Sequence, residues 1–291
     1  MIDYKKFVEN SRKWLENYII SNQLQSLVIG ISGGIDSTVS CAIASPVCEK
    51  LNILFIGRSL PCNTNKLGEI NSAQLVGEAF CNDFKEVSIE DMYTKIANDI
   101  TDEEGTLYNI QLGNIKARLR MIYLRNLASM HGGVVLDNDN FTEWNLGFWT
   151  VGGDSPMDIN LGLHYLWKTE IYELAKYLLT EYEILAIQTR EICLAISALK
   201  ESIALTPTDG NGVSKSDCEQ FGLDNYEQVD DVLKTMYFPE GGMDNIKYKN
   251  EYLRLIDSYN EQGVDKVMVR HQNSAFKRMP SPIMPKLEDL I

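Results

Sequence analysis

The chain has 291 residues, of which 44% are hydrophobic, and a formal net charge of −14. This length suits one large domain, so we expect residues 1–291 to form a single unit. The negative charge argues against a nucleic-acid partner, because such binding depends on cations that neutralise phosphates. No apolar run approaches the roughly 20 residues that cross a membrane, and the N-terminus lacks the apolar core of a secretory signal. We therefore expect a cytoplasmic protein with no membrane partner.

Apolar residues alternate between short continuous runs, typical of buried strands, and runs with helical spacing. The pattern predicts strands at 27–31, 51–56, near residue 87 and at 133–136, and helices within 1–20 and at 39–44, 67–80, 107–130, 168–179, 226–236 and 251–262. The helix at 39–44 is predicted to end near Pro46, and residues 154–162 are predicted to form a loop. We also expect a mobile loop near 206–219 and an extended tail at 277–291.

Strands that alternate with helices predict an α/β fold, a doubly wound, mostly parallel sheet with helices on both faces. In such folds ligands bind at the carboxyl ends of the strands. The segment Ser32-Gly33-Gly34-Ile35-Asp36-Ser37 follows the first of these predicted strands and opens a helix. Its glycines let the backbone approach a ligand closely, and the amides at the helix N-terminus favour an anion.

Asp36 would repel a bare phosphate, so its place in this segment suggests a bridging magnesium ion. No Gly-Lys-Ser/Thr follows, which excludes the phosphate loop of kinases and GTPases. The segment instead resembles the pyrophosphate-binding loop of the N-type ATP pyrophosphatases. These enzymes have the adenine-nucleotide α-hydrolase type of fold and cleave ATP between the α- and β-phosphates.

Several later segments resemble the NAD synthetases within that superfamily. Residues 113–121 read Gly-Asn-Ile-Lys-Ala-Arg-Leu-Arg-Met, as in the family, and place three cations within five residues of an acidic chain. The segment from Leu136 to Glu143 looks like the family loop whose Glu holds magnesium. Residues 147–160 resemble Gly-Phe-Phe-Thr-Lys-x-Gly-Asp-x-x-x-Asp-x-Asn. The matches keep the family order from about residue 30 to residue 280.

The resemblance implies ATP-dependent amidation of nicotinic acid adenine dinucleotide to NAD, through an adenylated carboxylate, with release of AMP and pyrophosphate. It implies magnesium binding by Asp36 and Glu143, which with Lys168 would be the catalytic residues. It implies ATP binding by Gly30, Ser32, Gly33, Gly34, Asp36, Ser37, Asn138, Lys168 and Thr208. It implies binding of the acid dinucleotide by Asn114, Arg118, Arg120, Asp154, Asp158 and Lys277. A homodimer with the dinucleotide site at the subunit interface is also implied by resemblance.

The chain departs from the family pattern mainly around the second substrate. Val151 stands where the family has a lysine, Phe276 where it has a histidine, and Asn138 where many members have threonine. Arg58 is displaced by one position from the family's Arg-Leu-Pro. None of the six cysteines sits in a glutaminase-like setting, so ammonia is the expected nitrogen donor. The alternatives are an adenylating amidotransferase for another carboxylate and a catalytically silent relative that binds nucleotide.

Overall fold

The computed structural model describes residues 2–185, 189–205, 217–236 and 246–278. The loop predicted near 206–219 and the tail predicted at 277–291 therefore lie largely outside the described residues. No described helix is long and apolar enough to cross a membrane.

One parallel sheet forms the centre of the molecule, with the strand order β3-β2-β1-β4-β5. Its strands are β1 (Ser26–Gly30), β2 (Leu54–Ser59), β3 (Asp83–Glu86), β4 (Gly133–Asp137) and β5 (Ile159–Asn160). The chain moves outward from β1 to β3 and then returns to the other side of β1 for β4. This reversal opens a crevice at the carboxyl ends of β1 and β4. The prediction of a doubly wound parallel sheet is confirmed.

Helices cover both faces of the sheet because alternate strand residues point to opposite sides. Leu27 and Ile29 of β1 belong to one hydrophobic cluster, and Val28 belongs to another. The helices are α1 (Tyr4–Ser21), α2 (Ile35–Leu51), α3 (Leu67–Phe80), α4 (Glu90–Glu104), α5 (Asn109–Met130), α6 (Phe141–Leu146), α7 (Lys168–Glu183), α8 (Arg190–Ala204), α9 (Tyr226–Met236), α10 (Ile246–Ser258) and α11 (Glu261–Asn273). The first cluster contains residues of α1, α2, α3, α7 and α8, and the second contains residues of α4 and α5. A third cluster joins α9 and α11 to α6 beside the sheet.

The predicted end of a helix near Pro46 is wrong, since α2 continues to Leu51. Proline at position 46 has no N–H to donate to the carbonyl of Ala42, one turn earlier. Nη2 of Arg12 donates to that carbonyl instead, at 3.4 Å, and also pairs with Glu181 at 3.1 Å. A side chain from α1 thus satisfies the carbonyl that would otherwise favour a break in α2.

Two other boundaries differ from the sequence pattern. The helix predicted at 251–262 spans the end of α10 and the start of α11, which Asn260 separates by accepting a hydrogen bond from Gly263 N. The loop predicted at 154–162 contains β5, whose two residues pair with the end of β4. The strand β5 depends on its pairing with β4, which is distant in sequence, whereas the break at Asn260 had a local signal in the capping asparagine. The helices α4, α6 and α8 were not predicted.

Candidate active site

The turn between β1 and α2 is held closely against α3. Gly33 has φ +82°, and a Cβ placed there would lie 2.5 Å from the carbonyl oxygen of Glu69 and 2.7 Å from the amide nitrogen of Ala73. Ser72 Oγ also donates to the Gly33 carbonyl at 2.8 Å. Both the backbone conformation and the space therefore require glycine. This packing aims the N-terminus of α2 into the crevice between β1 and β4.

Two acidic side chains converge on one lysine at the mouth of this turn. Lys168 Nζ donates to Asp36 Oδ2 at 2.5 Å and to Glu143 Oε1 at 2.8 Å. The lysine side chain is 3% exposed, and the two carboxylates are 15% and 18% exposed. Burial alone would lower the pKa of Lys168, but the two carboxylates raise it well above its usual value, so the lysine is charged.

Asn140 connects the two acidic residues. As the N-cap of α6, its Oδ1 accepts a hydrogen bond from Glu143 N at 3.0 Å, while its Nδ2 donates to Asp36 Oδ1 at 2.8 Å. Burial and the nearby Asp36 carboxylate raise the pKa of Glu143, and Lys168 lowers it in part. Sequence reasoning missed Asn140, although the spacing Asn-x-x-Glu is a capping signal that was available.

The glycine turn, Asp36, Glu143 and Lys168 line a cavity of about 360 Å³. The predicted ATP residues within the described part of the chain all line it, namely Gly30, Ser32, Gly33, Gly34, Asp36, Ser37, Asn138 and Lys168. Thr208 lies outside the described residues. Arg120 and Asp154, predicted for the second substrate, line the same cavity. The volume is within the usual range for a small-molecule site, roughly 300–1,000 Å³.

A second group of predicted residues supports one wall of the cavity, residues 147–154. Thr150 donates through Oγ1 to Asn114 Oδ1 at 2.9 Å and through its amide to Asp154 Oδ1 at 2.7 Å. Lys277 Nζ donates to the carbonyls of Gly147, at 2.6 Å, and of Trp149. Burial raises the pKa of Asp154. Asn114 and Lys277 hold this wall and do not line the cavity.

Other predicted binding residues lie away from the cavity. Arg118 Nη2 donates to the carbonyl of Val151 at 3.3 Å on an exposed surface, and Val151 is 41% exposed. Asp158 pairs with Arg125 at 3.1 Å and accepts from the Val135 amide at 2.8 Å. Neither Arg118 nor Asp158 is among the residues that line the cavity.

A further group beside the cavity was not predicted. Asp137, Asp139 and His164 offer ligand atoms that lie within 4.8 Å of one another. Asp139 also lines the cavity, and burial raises its pKa well above the usual value. The Asp-x-Asp spacing at the end of β4 was the available signal for two of these residues. The arrangement is chemically able to hold a small cation.

Comparisons with known proteins agree with this fold. A model of the family described as NAD synthase matches residues 7–281. The NH(3)-dependent NAD(+) synthetase of Thermoplasma acidophilum is 28% identical over 249 residues, which are 86% of this chain and 91% of that protein. The solved structure of NMN synthetase from Francisella tularensis has a TM-score of 0.72 and 24% identity, covering 99% of this chain and all of that one. The NH3-dependent NAD synthetase of Campylobacter jejuni has a TM-score of 0.67 and 20% identity, with 98% of this chain and all of that one covered.

Proposed function

The chain belongs to the NAD synthase family, and on that premise we propose how the residues of its cavity carry out the family's reaction. It is a ligase that amidates nicotinic acid adenine dinucleotide to NAD with ammonia, using ATP as the second substrate. The observation that carries the residue assignments is the convergence of Asp36 and Glu143 on Lys168 beside the glycine turn. That arrangement supplies one buried cation and two hard oxygen ligands where the triphosphate would lie.

In the first step a carboxylate oxygen of the nicotinate attacks the α-phosphorus of ATP, and the bond to pyrophosphate breaks. Negative charge then grows on the leaving pyrophosphate. The amides at the N-terminus of α2 and the charged Lys168 are fixed in place before the reaction, so they stabilise this charge without reorganisation. In the second step ammonia attacks the carbonyl carbon of the mixed anhydride, the bond from that carbon to the AMP oxygen breaks, and the nitrogen loses one proton to give the amide.

We propose that Asp36 and Glu143 hold a magnesium ion. The donor set fits, because magnesium prefers carboxylate oxygens and retains sites for phosphate oxygens and water. When bound, the ion would supply Lewis-acid stabilisation of the phosphate charge. Asn140 keeps both carboxylates in place, since it bonds to the Asp36 side chain and to the Glu143 backbone.

We propose that the acid dinucleotide binds along the wall that contains Asp154, near Arg120. Both residues line the cavity. Arg120 is fixed by donating to the carbonyl of Leu60 at 3.0 Å. We propose that Asn114 and Lys277 act by holding this wall. Arg118, Asp158 and Thr208 remain candidates from the family resemblance.

We also propose that the enzyme is a cytoplasmic homodimer of one domain per chain, residues 1–291. Apart from the resemblance, exposed apolar side chains on the packed pair α4 and α5 support the dimer. Met92 and Ile96 lie one turn apart on α4 and are 44% and 37% exposed, and Ile122 on α5 is 52% exposed. Sedimentation velocity tests this proposal, and a monomer at micromolar concentration would contradict it.

The test of the function is an assay of NAD formation with ATP, magnesium chloride, ammonium chloride and the acid dinucleotide. Parallel reactions replace the dinucleotide with the mononucleotide, because one structural neighbour is described as an NMN synthetase, and replace ammonium with ammonia-free glutamine. With ammonium we expect NAD and pyrophosphate in equal amounts. With ammonia-free glutamine we expect no NAD. A preference for the acid mononucleotide would show that the enzyme amidates another carboxylate substrate. Absence of ATP cleavage with either would contradict the assignment as a ligase.

A further inference from the structure

The N-terminus of α7 lacks a capping residue of its own. Lys168 and Thr169 are its first two residues, and their N–H groups have no acceptor inside the helix. Trp167, which precedes them, has an indole group that can donate but cannot accept a hydrogen bond. The acceptors must therefore come from elsewhere in the protein.

Asp230 of α9 supplies that acceptor from outside the helix. Its carboxylate is fully buried, and its Oδ2 accepts from Thr169 N at 2.9 Å. Its Oδ1 accepts from Thr142 Oγ1 at 2.5 Å, and the same hydroxyl oxygen accepts from Lys168 N at 2.8 Å. A carboxylate only accepts, so the single hydroxyl proton of Thr142 must point to Asp230. The lone pairs of the hydroxyl are then left for Lys168 N.

This chain of hydrogen bonds joins three segments that carry the reaction. Thr142 precedes Glu143 on α6, Lys168 begins α7, and Asp230 lies on α9, whose neighbouring residues Val229 and Val232 belong to the third hydrophobic cluster. Helix α9 makes a second contact through Tyr226, whose ring centre lies 5.6 Å from Lys168 Nζ. Helix α9 therefore contacts the backbone of Thr169 and the side chain of Lys168, and it is linked to the Lys168 amide through Thr142.

We propose that Asp230 is a positioning residue that holds Lys168 and Glu143 in register by capping α7 from α9. The proposal rests on the function proposed above, in which Lys168 binds the phosphates of ATP. Loss of the cap would free the first turn of α7, and displacement of a charged group by about 1 Å can cost on the order of 100-fold in rate. A carboxylate at this helix end is also favoured by the helix dipole.

The test compares Asp230→Asn with Asp231→Asn, its neighbour on α9. Asparagine keeps the shape and can still accept from Thr169 N, but its amide nitrogen then faces Thr142 Oγ1, so that hydrogen bond must reverse its direction and the negative charge at the start of α7 is lost. Asp231 instead pairs with Arg254 at 2.9 Å and accepts from Tyr259 Oη at 2.9 Å, so these partners lie on α10 and directly after it. We expect Asp230→Asn to lower kcat by roughly 10- to 100-fold and to weaken ATP binding with magnesium chloride, measured by calorimetry. Asp231→Asn should lower the melting temperature and leave kcat unchanged.

A second pair of variants covers the case in which Asp230→Asn fails to fold. Thr142→Val removes the hydroxyl and should reproduce the loss of kcat, whereas Thr142→Ser keeps the hydroxyl and should restore most of it. The double variant Asp230→Asn with Thr142→Val should have a kcat close to that of the less active single variant, because both substitutions break the same network. Equal kcat for Asp230→Asn and Asp231→Asn, or additive losses in the double variant, would overturn the proposal. Calorimetry requires ATP alone, so this comparison holds even when the wild type amidates a different carboxylate.

Discussion

Replacement of Lys168 by methionine should destabilise the protein mainly when magnesium is absent. The lysine side chain is 3% exposed and is the cation shared by Asp36 and Glu143, which are 15% and 18% exposed. Methionine fills similar space without charge, so the two carboxylates are left facing each other. Removal of one partner from a buried ion pair costs about 3–5 kcal/mol. At about 2 °C per kcal/mol for a chain of this size, the melting temperature should fall by roughly 6–10 °C.

Magnesium should reverse part of this loss, because a divalent ion restores positive charge between the carboxylates. The measurement is the melting temperature of wild type and Lys168→Met in EDTA and in saturating magnesium chloride. Lys176→Met is the matched control, since Lys176 lies on the same helix in an exposed pair with Glu173, 57% and 55% exposed. Exposed pairs contribute little to stability. If both variants melt together in EDTA, or if magnesium raises variant and wild type equally, the reasoning is refuted.

Three further predictions follow from the site and the sheet. Asp36→Ala should lower pyrophosphate release by at least about 100-fold with an unchanged circular dichroism spectrum; near-normal turnover at saturating magnesium would contradict its role. Gly33→Ala should weaken ATP binding, because its Cβ would lie 2.5 Å from Glu69 O at φ +82°; calorimetry with unchanged affinity would show that the turn can relax. Asp83→Asn should lower stability at pH 7, since Arg58 holds the pKa of Asp83 below its usual value. The stabilisation by the Asp83 carboxylate is fully present above the unfolded pKa of about 3.9 and is lost as the pH falls through the folded pKa. The free energies of unfolding of wild type and variant, measured in urea, should therefore converge below about pH 4.

Local sequence signals were sufficient for the centre of the sheet and for the glycine turn. The run Leu27-Val28-Ile29 is continuously apolar, which is typical of a strand that is covered on both faces of the sheet. All three residues are 0% exposed. The segment from Ser32 to Ser37 combines glycine, hydroxyl and carboxylate groups between a strand and a helix. The predicted ATP residues of this turn all line one cavity for this reason, namely Ser32, Gly33, Gly34, Asp36 and Ser37.

Other features depended on residues that are distant in sequence. The pattern at Pro46 predicts the end of a helix, but Arg12, from another helix, donates to the Ala42 carbonyl that Pro46 leaves without its usual partner. The start of α7 shows no capping residue, because its acceptor is Asp230 on α9. Neither Arg12 nor Asp230 can be identified from the sequence around the group that it contacts. A hydrogen bond of about 3 Å can join residues at any separation along the chain.

The sequence by itself determined the first four strands, most of the helices, the glycine turn and the family. Only the tertiary structure decided which candidate side chains share the cavity. Asp154 lines it while Asp158, four residues later, turns to Arg125. Lys168 meets Asp36 across a separation of 132 residues. The physical reason is that strand and helix patterns are repeated locally along the chain, whereas a binding site is made by single contacts between elements that packing brings together.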